Sequence, residues 1–195
     1  CGRTDASKDA DYEIEHSAMR DLLRRIHTRG HEIGLHPSYN SYQQPGLIVS
    51  EAKRLKQVCA DEGIKQKEWG GRMHYLRWAH PTTLHGWEQA EMTYDSTLGY
   101  ADLPGFRCGT CFEFPAFDPV AQQTLKLRFR PLVVMECTVM ADRYIGLGAG
   151  EAAFTKIQGL KDNCRKVGGC FTLLWHNSQF STDQERILYR KSLGI

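Results

Sequence analysis

The stretch Cys170-Phe171-Thr172-Leu173-Leu174-Trp175-His176 decides the fold class, because it is the clearest buried strand in the sequence. It follows a run of apolar residues at helical spacing, and that run stops at Gly168-Gly169. The apolar residues of this predicted helix are Phe154, Ile157, Leu160 and Cys164. A helix that leads directly into a buried strand is typical of α/β proteins.

The same alternation of periods continues through the rest of the chain. Helical spacing predicts further helices over residues 19–26 and 47–62, after Pro81, and from a capping box at Ser181 or Thr182. Apolar or alternating runs predict further strands over residues 31–36, 69–78, 94–98 and 131–140. With few hairpin signals, this order favours a largely parallel sheet or barrel covered by helices.

Length and composition limit the class of protein. A chain of 195 residues with 41% hydrophobic and 25% charged residues suits a single globular domain over residues 1–195. The net charge of +2 gives no reason to expect nucleic acid as a partner. The longest apolar run, Leu132–Met135, is far too short for a membrane span, which needs about 20 residues.

The cysteines indicate a reducing compartment. Seven of them cannot all pair with one another, and their spacing does not form a compact disulfide framework. We therefore expect mostly reduced, buried thiols and a cytoplasmic protein. Cys108 and Cys111 form a lone C-x-x-C, which leaves a metal or redox module open as an alternative function.

Two histidines end predicted strands, where a parallel barrel keeps its active site. These are His36 and His176. His31 precedes His36 by five residues, roughly 16 Å along a strand and on the opposite face, so the two should not share a metal ion. Asn40 follows His36 by four residues, and a helical turn would bring their side chains within about 6 Å, which suits two ligands of one ion.

Other polar side chains stand in places where chemistry or structure could require them. Arg107 lies among small residues of a predicted loop, where it could hold a carboxylate or a substrate oxygen, or form a surface salt bridge. Arg72 and His74 fall on one face of the predicted strand 69–78. Glu136 interrupts an apolar predicted strand, and a buried carboxylate there needs a partner. A buried Arg72–His74 pair bound to Glu136 would give all three side chains a structural role.

Several of these residues lie in motifs that resemble one enzyme family. Gly30-His31-Glu32-Ile33-Gly34-Leu35-His36-Pro37-Ser38-Tyr39 resembles the second motif of polysaccharide deacetylases, the NodB-homology carbohydrate esterases. Leu173-Leu174-Trp175-His176 is similar to their closing motif, and Arg107 falls where their arginine motif would lie. Arg72-x-His74 and Tyr94-Asp95-Ser96-Thr97-Leu98-Gly99 resemble a subgroup from bacterial surface-polysaccharide gene sets.

This resemblance implies a fold, a cofactor and a reaction. The fold is a distorted, incomplete (β/α) barrel, and the cofactor is a divalent metal ion, usually zinc, held by an aspartate and two histidines. The reaction removes acetyl groups from the sugars of a polysaccharide or its precursor, so the partner is a carbohydrate substrate. By motif, His36 is a metal ligand, Asn40 takes the second ligand position, His176 is the general acid and Arg107 orients the catalytic carboxylate.

The sequence departs from the family pattern in two places. Asn40 replaces the second metal histidine, and His74 is the predicted substitute. The paired aspartates of the first motif are not found, since Thr4-Asp5 lacks a preceding apolar strand and Asp9 lies in a polar run. We therefore expect an N-terminally truncated domain whose first strand is missing.

Three residues complete the predicted site, and the departures leave other functions open. Tyr39, Arg72 and Asp95 are the expected substrate contacts. The loss of a metal histidine at position 40 favours, as an alternative, an inactive barrel that binds glycan or a partner. The C-x-x-C module remains the third possibility.

Overall fold

The computed structural model describes residues 2–195 as a mixed α/β protein with helices and mostly parallel strands. The chain divides into two compact units. The first unit comprises Cys1–Thr97 with Phe114–Phe129, and the second comprises Leu98–Glu113 with Arg130–Ile195. The predicted α/β class is confirmed, and the single domain over residues 1–195 remains a prediction.

Helices α1, α2 and α3 belong to the first unit and span Ser17–Thr28, Pro45–Asp61 and Thr82–Gln89. Helix α2 begins with proline at its first turn, where the missing N–H is tolerated. Its buried side chains recur at helical spacing, and they are Ile48, Glu51, Ala52, Leu55, Val58 and Cys59. Helix α2 packs on α3, whose Leu84 and Trp87 are fully buried, so the two helices form much of the core of this unit.

Strands β1 to β4 form the sheet of the first unit in the order β1-β2-β4-β3. They span Gly70–Gly71, Tyr94–Asp95, Phe114–Asp118 and Gln123–Phe129. The β1–β2 and β2–β4 pairs are parallel, and β3–β4 is an antiparallel hairpin. Leu35 adds a single parallel bridge to Gly71, where a Cβ would lie 1.9 Å from the Leu35 carbonyl oxygen. Only glycine permits this close approach, which fixes where the loop after Leu35 begins.

The second unit is built on one parallel strand pair and three helices. Its elements are β5 Val134–Met135, α4 Glu136–Met140, α5 Glu151–Lys166, β6 Leu173–Leu174 and α6 Asp183–Leu193. Val134 pairs with Leu173, and both belong to or pack on an apolar core that includes Val139, Ile157 and Leu188. The side chains of Thr182 and Glu185 form the predicted capping box that opens α6.

The strands are shorter than the sequence predicted. Residues 31–36 contribute only the bridge at Leu35, and residues 69–78 contain only β1 followed by a 3-10 turn at His74–Leu76. The apolar run 131–140 turns from strand to helix at Glu136. The hairpin β3–β4 was not predicted. The paired strands of residues 2–195 form two open sheets and no closed barrel. The distorted (β/α) barrel therefore remains a prediction.

None of the helices within residues 2–195 combines the length and the apolar character that crossing a bilayer requires.

Candidate functional site

His36 stands at the start of the loop that follows the Leu35 bridge. Its Nδ1 lies 2.7 Å from the backbone carbonyl oxygen of Arg72. A carbonyl only accepts hydrogen bonds, so Nδ1 carries the proton and Nε2 keeps the lone pair. Desolvation by the surrounding protein, and next the neighbouring His74, lower the pKa of His36 to about 4. The ring is therefore neutral near pH 7, which is the state that binds a metal ion.

His74 is the second imidazole of this group. Its ring centroid lies 4.9 Å from that of His36, and its Nδ1 is 3.0 Å from the Asp9 Oδ1. Metal-ligating histidines are oriented in this way, with one nitrogen held by a carbonyl or carboxylate so that the other presents its lone pair. The pair His36–His74 thus fits the imidazole part of a metal centre.

Asp9 fixes the N-terminal segment to the loop that carries His36. Its Oδ2 accepts from the Thr4 and Asp5 amides and the Thr4 hydroxyl, and its Oδ1 accepts from the Tyr39 amide at 2.8 Å. Burial alone would raise the pKa of Asp9, but these hydrogen bonds and the one with His74 outweigh it and lower the pKa to about 2. The carboxylate is thus a positioning group for His74 and for the loop.

A second buried carboxylate holds the same loop. Glu51 of helix α2 is 4% exposed and accepts from the Ser38 amide at 2.8 Å and from the Ser38 hydroxyl at 2.5 Å. The carboxylate within the apolar stripe of α2 is therefore explained by the loop that it binds. The loop is thus held by Asp9, which precedes it in the sequence, and by Glu51, which follows it.

We expect Asp9→Asn to destabilise the chain by about 2 kcal/mol at pH 7, because the folded-state pKa is near 2 and the usual value is 3.8. A carboxyl whose pKa is lowered by folding stabilises above its unfolded pKa. That stabilisation is lost as pH falls from about 4 to 2. Urea unfolding at pH 7 and at pH 3 measures both effects.

Asp11→Asn is the matched control for this prediction, since the Asp11 side chain is 80% exposed and forms an ion pair with the exposed Arg3 side chain. It should change the free energy of unfolding by less than about 0.5 kcal/mol. Equal effects at positions 9 and 11 would contradict the positioning role of Asp9.

Asn40 uses its side chain within the first unit. Its Oδ1 accepts from Arg77 Nη1 at 3.1 Å, and its Nδ2 donates to the Thr4 carbonyl at 3.4 Å. The Arg77 guanidinium also lies over the ring of Tyr39, 4.0 Å from its centroid. A cation bound at Asn40 Oδ1 would face this guanidinium, so the predicted ligand role of Asn40 has a competitor that the sequence did not indicate.

Tyr75 presents an exposed aromatic ring beside these histidines. The ring is 59% exposed and lies 4.8 Å from that of His74 and 5.2 Å from that of Tyr39. Tyr75 and Leu76 both have positive φ, 58° and 53°, a conformation that costs non-glycine residues about 1–2 kcal/mol each. This turn replaces the predicted strand, so the expected shared strand face of Arg72 and His74 was wrong.

Arg72 and Asp95 form hydrogen bonds with the residues that directly follow strand β2. Arg72 donates from Nε to the Ser96 carbonyl at 2.7 Å, while its own carbonyl holds His36. Asp95 is 1% exposed and accepts from the Thr97 amide and hydroxyl. Burial raises the pKa of Asp95 to about 7, and the Thr97 hydrogen bonds offset part of that rise. At this depth the Asp95 carboxyl contacts protein groups, and its predicted contact with substrate remains a prediction.

In the second unit, His176 pairs with Glu136. Glu136 is completely buried at the start of α4, and its Oε1 accepts from His176 Nδ1 and from the His176 amide. The His176 side chain is 46% exposed. Because the carboxylate occupies Nδ1, proton exchange between this ring and a substrate must pass through Nε2. Glu136 and His176 thus form a hydrogen-bonded carboxylate–imidazole pair. The predicted contact of Glu136 with Arg72 and His74 was wrong, because His74 pairs with Asp9.

Cys137 extends this pair to a group of three. Its thiol, one Glu136 oxygen and one His176 nitrogen all lie within 4.8 Å of one another, so the group could hold a metal ion. Within residues 2–195 it is the one group of three His, Cys, Asp or Glu side chains that meets this distance. Cys137 was not predicted as a site residue, although it directly follows Glu136, the acidic residue that interrupts the apolar run.

Arg107 and the C-x-x-C cysteines have local partners in the second unit. Arg107 is exposed and donates to the Gly99 carbonyl at 2.9 Å, and within residues 2–195 it forms no ion pair with a carboxylate. Cys111 is buried and hydrogen-bonded to Cys164, whereas the Cys108 sulfur lies 3.9 Å from the Leu98 carbonyl. The two cysteines of the motif therefore have different neighbours.

Neither a protein-family model nor a curated protein sequence matches this chain. The resemblance to polysaccharide deacetylases thus rests on the quoted motifs.

Proposed function

We propose that this protein is a metal-dependent hydrolase that removes acetyl groups from the sugars of a polysaccharide or its precursor. The observation that carries the proposal is the pairing of a half-exposed imidazole, His176, with a fully buried carboxylate, Glu136. Such a pair suits a general acid that protonates a leaving nitrogen or oxygen. The motif resemblance supplies the substrate class and implies the distorted (β/α) barrel as the framework.

In this proposal Glu136 is a positioning residue and His176 is the catalytic residue. The carboxylate fixes the ring orientation and stabilises the imidazolium, so that Nε2 can hold and release one proton. The buried position of Glu136 keeps the carboxylate away from water and thereby strengthens its interaction with the ring.

His36 and His74 are the residues that would hold the ion in this proposal. Both rings are oriented through Nδ1, and the pKa of His36 keeps that ring neutral, so the pair would supply two imidazole ligands to a zinc ion. When bound, zinc would polarise the acetyl carbonyl and lower the pKa of a bound water towards about 7. In this proposal Asp9 and the Arg72 carbonyl orient the ligands, and the exposed ring of Tyr75 contacts a sugar.

A specific observation favours a second function, an inactive relative that binds glycan. Asn40 stands where the family resemblance places a metal histidine, and its side chain is hydrogen-bonded to Arg77 and Thr4. A domain that had lost its ion would keep the exposed ring of Tyr75 and lose the reaction.

Acetate release distinguishes the two functions. The protein is incubated with N-acetylated chito-oligosaccharides and with O-acetylated xylan, before and after treatment with a chelator. We expect acetate release that the chelator abolishes and added zinc restores. Oligosaccharide binding without acetate release, in the presence of zinc, would establish the binding module and reject the hydrolase.

A further inference from the structure

The three side chains Glu136, Cys137 and His176 form a set that is chemically suited to a soft divalent ion. Carboxylate oxygen, thiolate sulfur and imidazole nitrogen are all zinc ligands, and three protein ligands leave one position open. Their ligand atoms lie within 4.8 Å of one another. Glu136 is buried, whereas His176 is exposed and Cys137 is half-buried, so an ion can reach the group from solvent.

An unsatisfied oxygen provides independent support. Glu136 Oε1 accepts from His176, but Oε2 is buried and has no hydrogen-bond partner among residues 2–195. A buried carboxylate oxygen without a partner is costly, and a cation bound to it removes that cost. The sulfur and the imidazole lie beside the same carboxylate, so the group already contains the further ligands.

We propose that Glu136, Cys137 and His176 bind a thiophilic divalent ion such as zinc, and that this ion inhibits the enzyme by blocking proton transfer through His176. The binding site stands on the geometry alone. The inhibition rests on the function proposed above, in which His176 is the general acid.

The chemistry of binding needs no oxidant or reductant. The Cys137 thiol releases its proton to solvent, and the sulfur, a Glu136 oxygen and His176 Nδ1 bond to the ion. The proton that Nδ1 carried moves through water to Nε2. The ring then keeps that proton on Nε2 while Nδ1 is bonded to the ion, so it can no longer alternate between one and two protons.

The positive charge of Arg143 lies near this group and would weaken the binding of a cation. The Arg143 side chain interacts with the Cys137 sulfur and lowers its pKa, partly offsetting the rise that burial and Glu136 cause. Arg143 is exposed and stacks on the neighbouring Tyr144 ring at 4.9 Å, so its guanidinium can move away into water. Arg143→Gln should therefore tighten the binding of the ion.

Cobalt(II) is the probe that reports this group selectively. A cobalt ion bound to a thiolate gives a near-ultraviolet charge-transfer band, which an ion held by His36 and His74 would not give. We expect one equivalent of the band in the purified protein, its loss in Cys137→Ser and its retention in Cys170→Ser, an exposed thiol control. Absence of the band in the correctly folded wild-type protein would overturn the site.

Zinc titration of acetate release tests the inhibition. Excess zinc should inhibit the wild-type protein, and Cys137→Ser should raise the inhibitory concentration about tenfold or more, each relative to its own rate at the optimal zinc concentration. Equal inhibition of both proteins would overturn the inhibitory role. If the protein releases no acetate, the hydrolase proposal fails, while the cobalt band still decides whether the ion site exists.

Discussion

His176→Ala is expected to reduce acetate release by about a hundredfold or more, because general acid catalysis typically contributes that much. The loss should appear in kcat, since proton donation occurs only as the bond to the leaving group breaks. The ion assigned to His36 and His74 should be retained, whereas the ion proposed at Glu136, Cys137 and His176 should be lost. Steady-state kinetics and elemental analysis of the same preparation measure the two quantities.

The protein contains a closely matched control for this experiment. His85 in the first unit pairs with the buried carboxylate of Asp118 at 2.6 Å, and its side chain is 38% exposed. His85→Ala removes a similar histidine–carboxylate pair that has no assigned role in the reaction, so turnover should be preserved. Equal losses in both variants would show that the effect of His176→Ala is structural.

Glu136→Gln separates positioning from chemistry at the same pair. The amide cannot stabilise the imidazolium, so kcat should fall and its dependence on pH should shift. Thermal unfolding of the variant is the necessary control, since Glu136 is completely buried. A lower kcat with an unaltered pH profile would contradict the role given to the carboxylate.

His36→Ala is expected to remove the one zinc ion assigned to His36 and His74, leaving any ion at Glu136, Cys137 and His176 in place, and to abolish acetate release. The ring has its Nδ1 fixed by the Arg72 carbonyl, so the substitution removes an oriented imidazole ligand. Zinc measured after dialysis against a weak chelator tests the first effect. His74→Ala should weaken binding in the same direction.

His31→Ala is the control, because His31 lies five residues before His36 and has an exposed side chain. It should retain the ion and the activity. If the ion survives His36→Ala and disappears in Cys137→Ser, the tightly bound ion belongs to Glu136, Cys137 and His176, and the assignment to His36 is wrong.

Helices were more predictable from this sequence than strands. The apolar spacing of α2 and the capping box that opens α6 are local signals that the structure confirms. The run from Pro131 to Met140 is apolar throughout, and such a run suits a buried strand or a buried helix equally. The chain uses both, with β5 followed immediately by α4.

The candidate site was predictable only in part, because its decisive contacts join residues far apart in the sequence. His36 and His74 were identified from motifs, but their neighbour Asp9 was placed in a polar run without a role. Asp9 contacts residues 30 and 65 positions away, a relation that no local pattern contains. The partner of Glu136 was equally distant, 40 residues along the chain at His176.

The bonds of Asp9 have a practical consequence for anyone who handles this protein. Trimming the chain before residue 10, by protease or by primer choice, would delete an anchor of the His36 loop while leaving every motif intact. A preparation shortened in this way is expected to bind little zinc and still give a normal helical signal in circular dichroism. Any shortened preparation should therefore keep residues 4–9, whose contacts hold this loop.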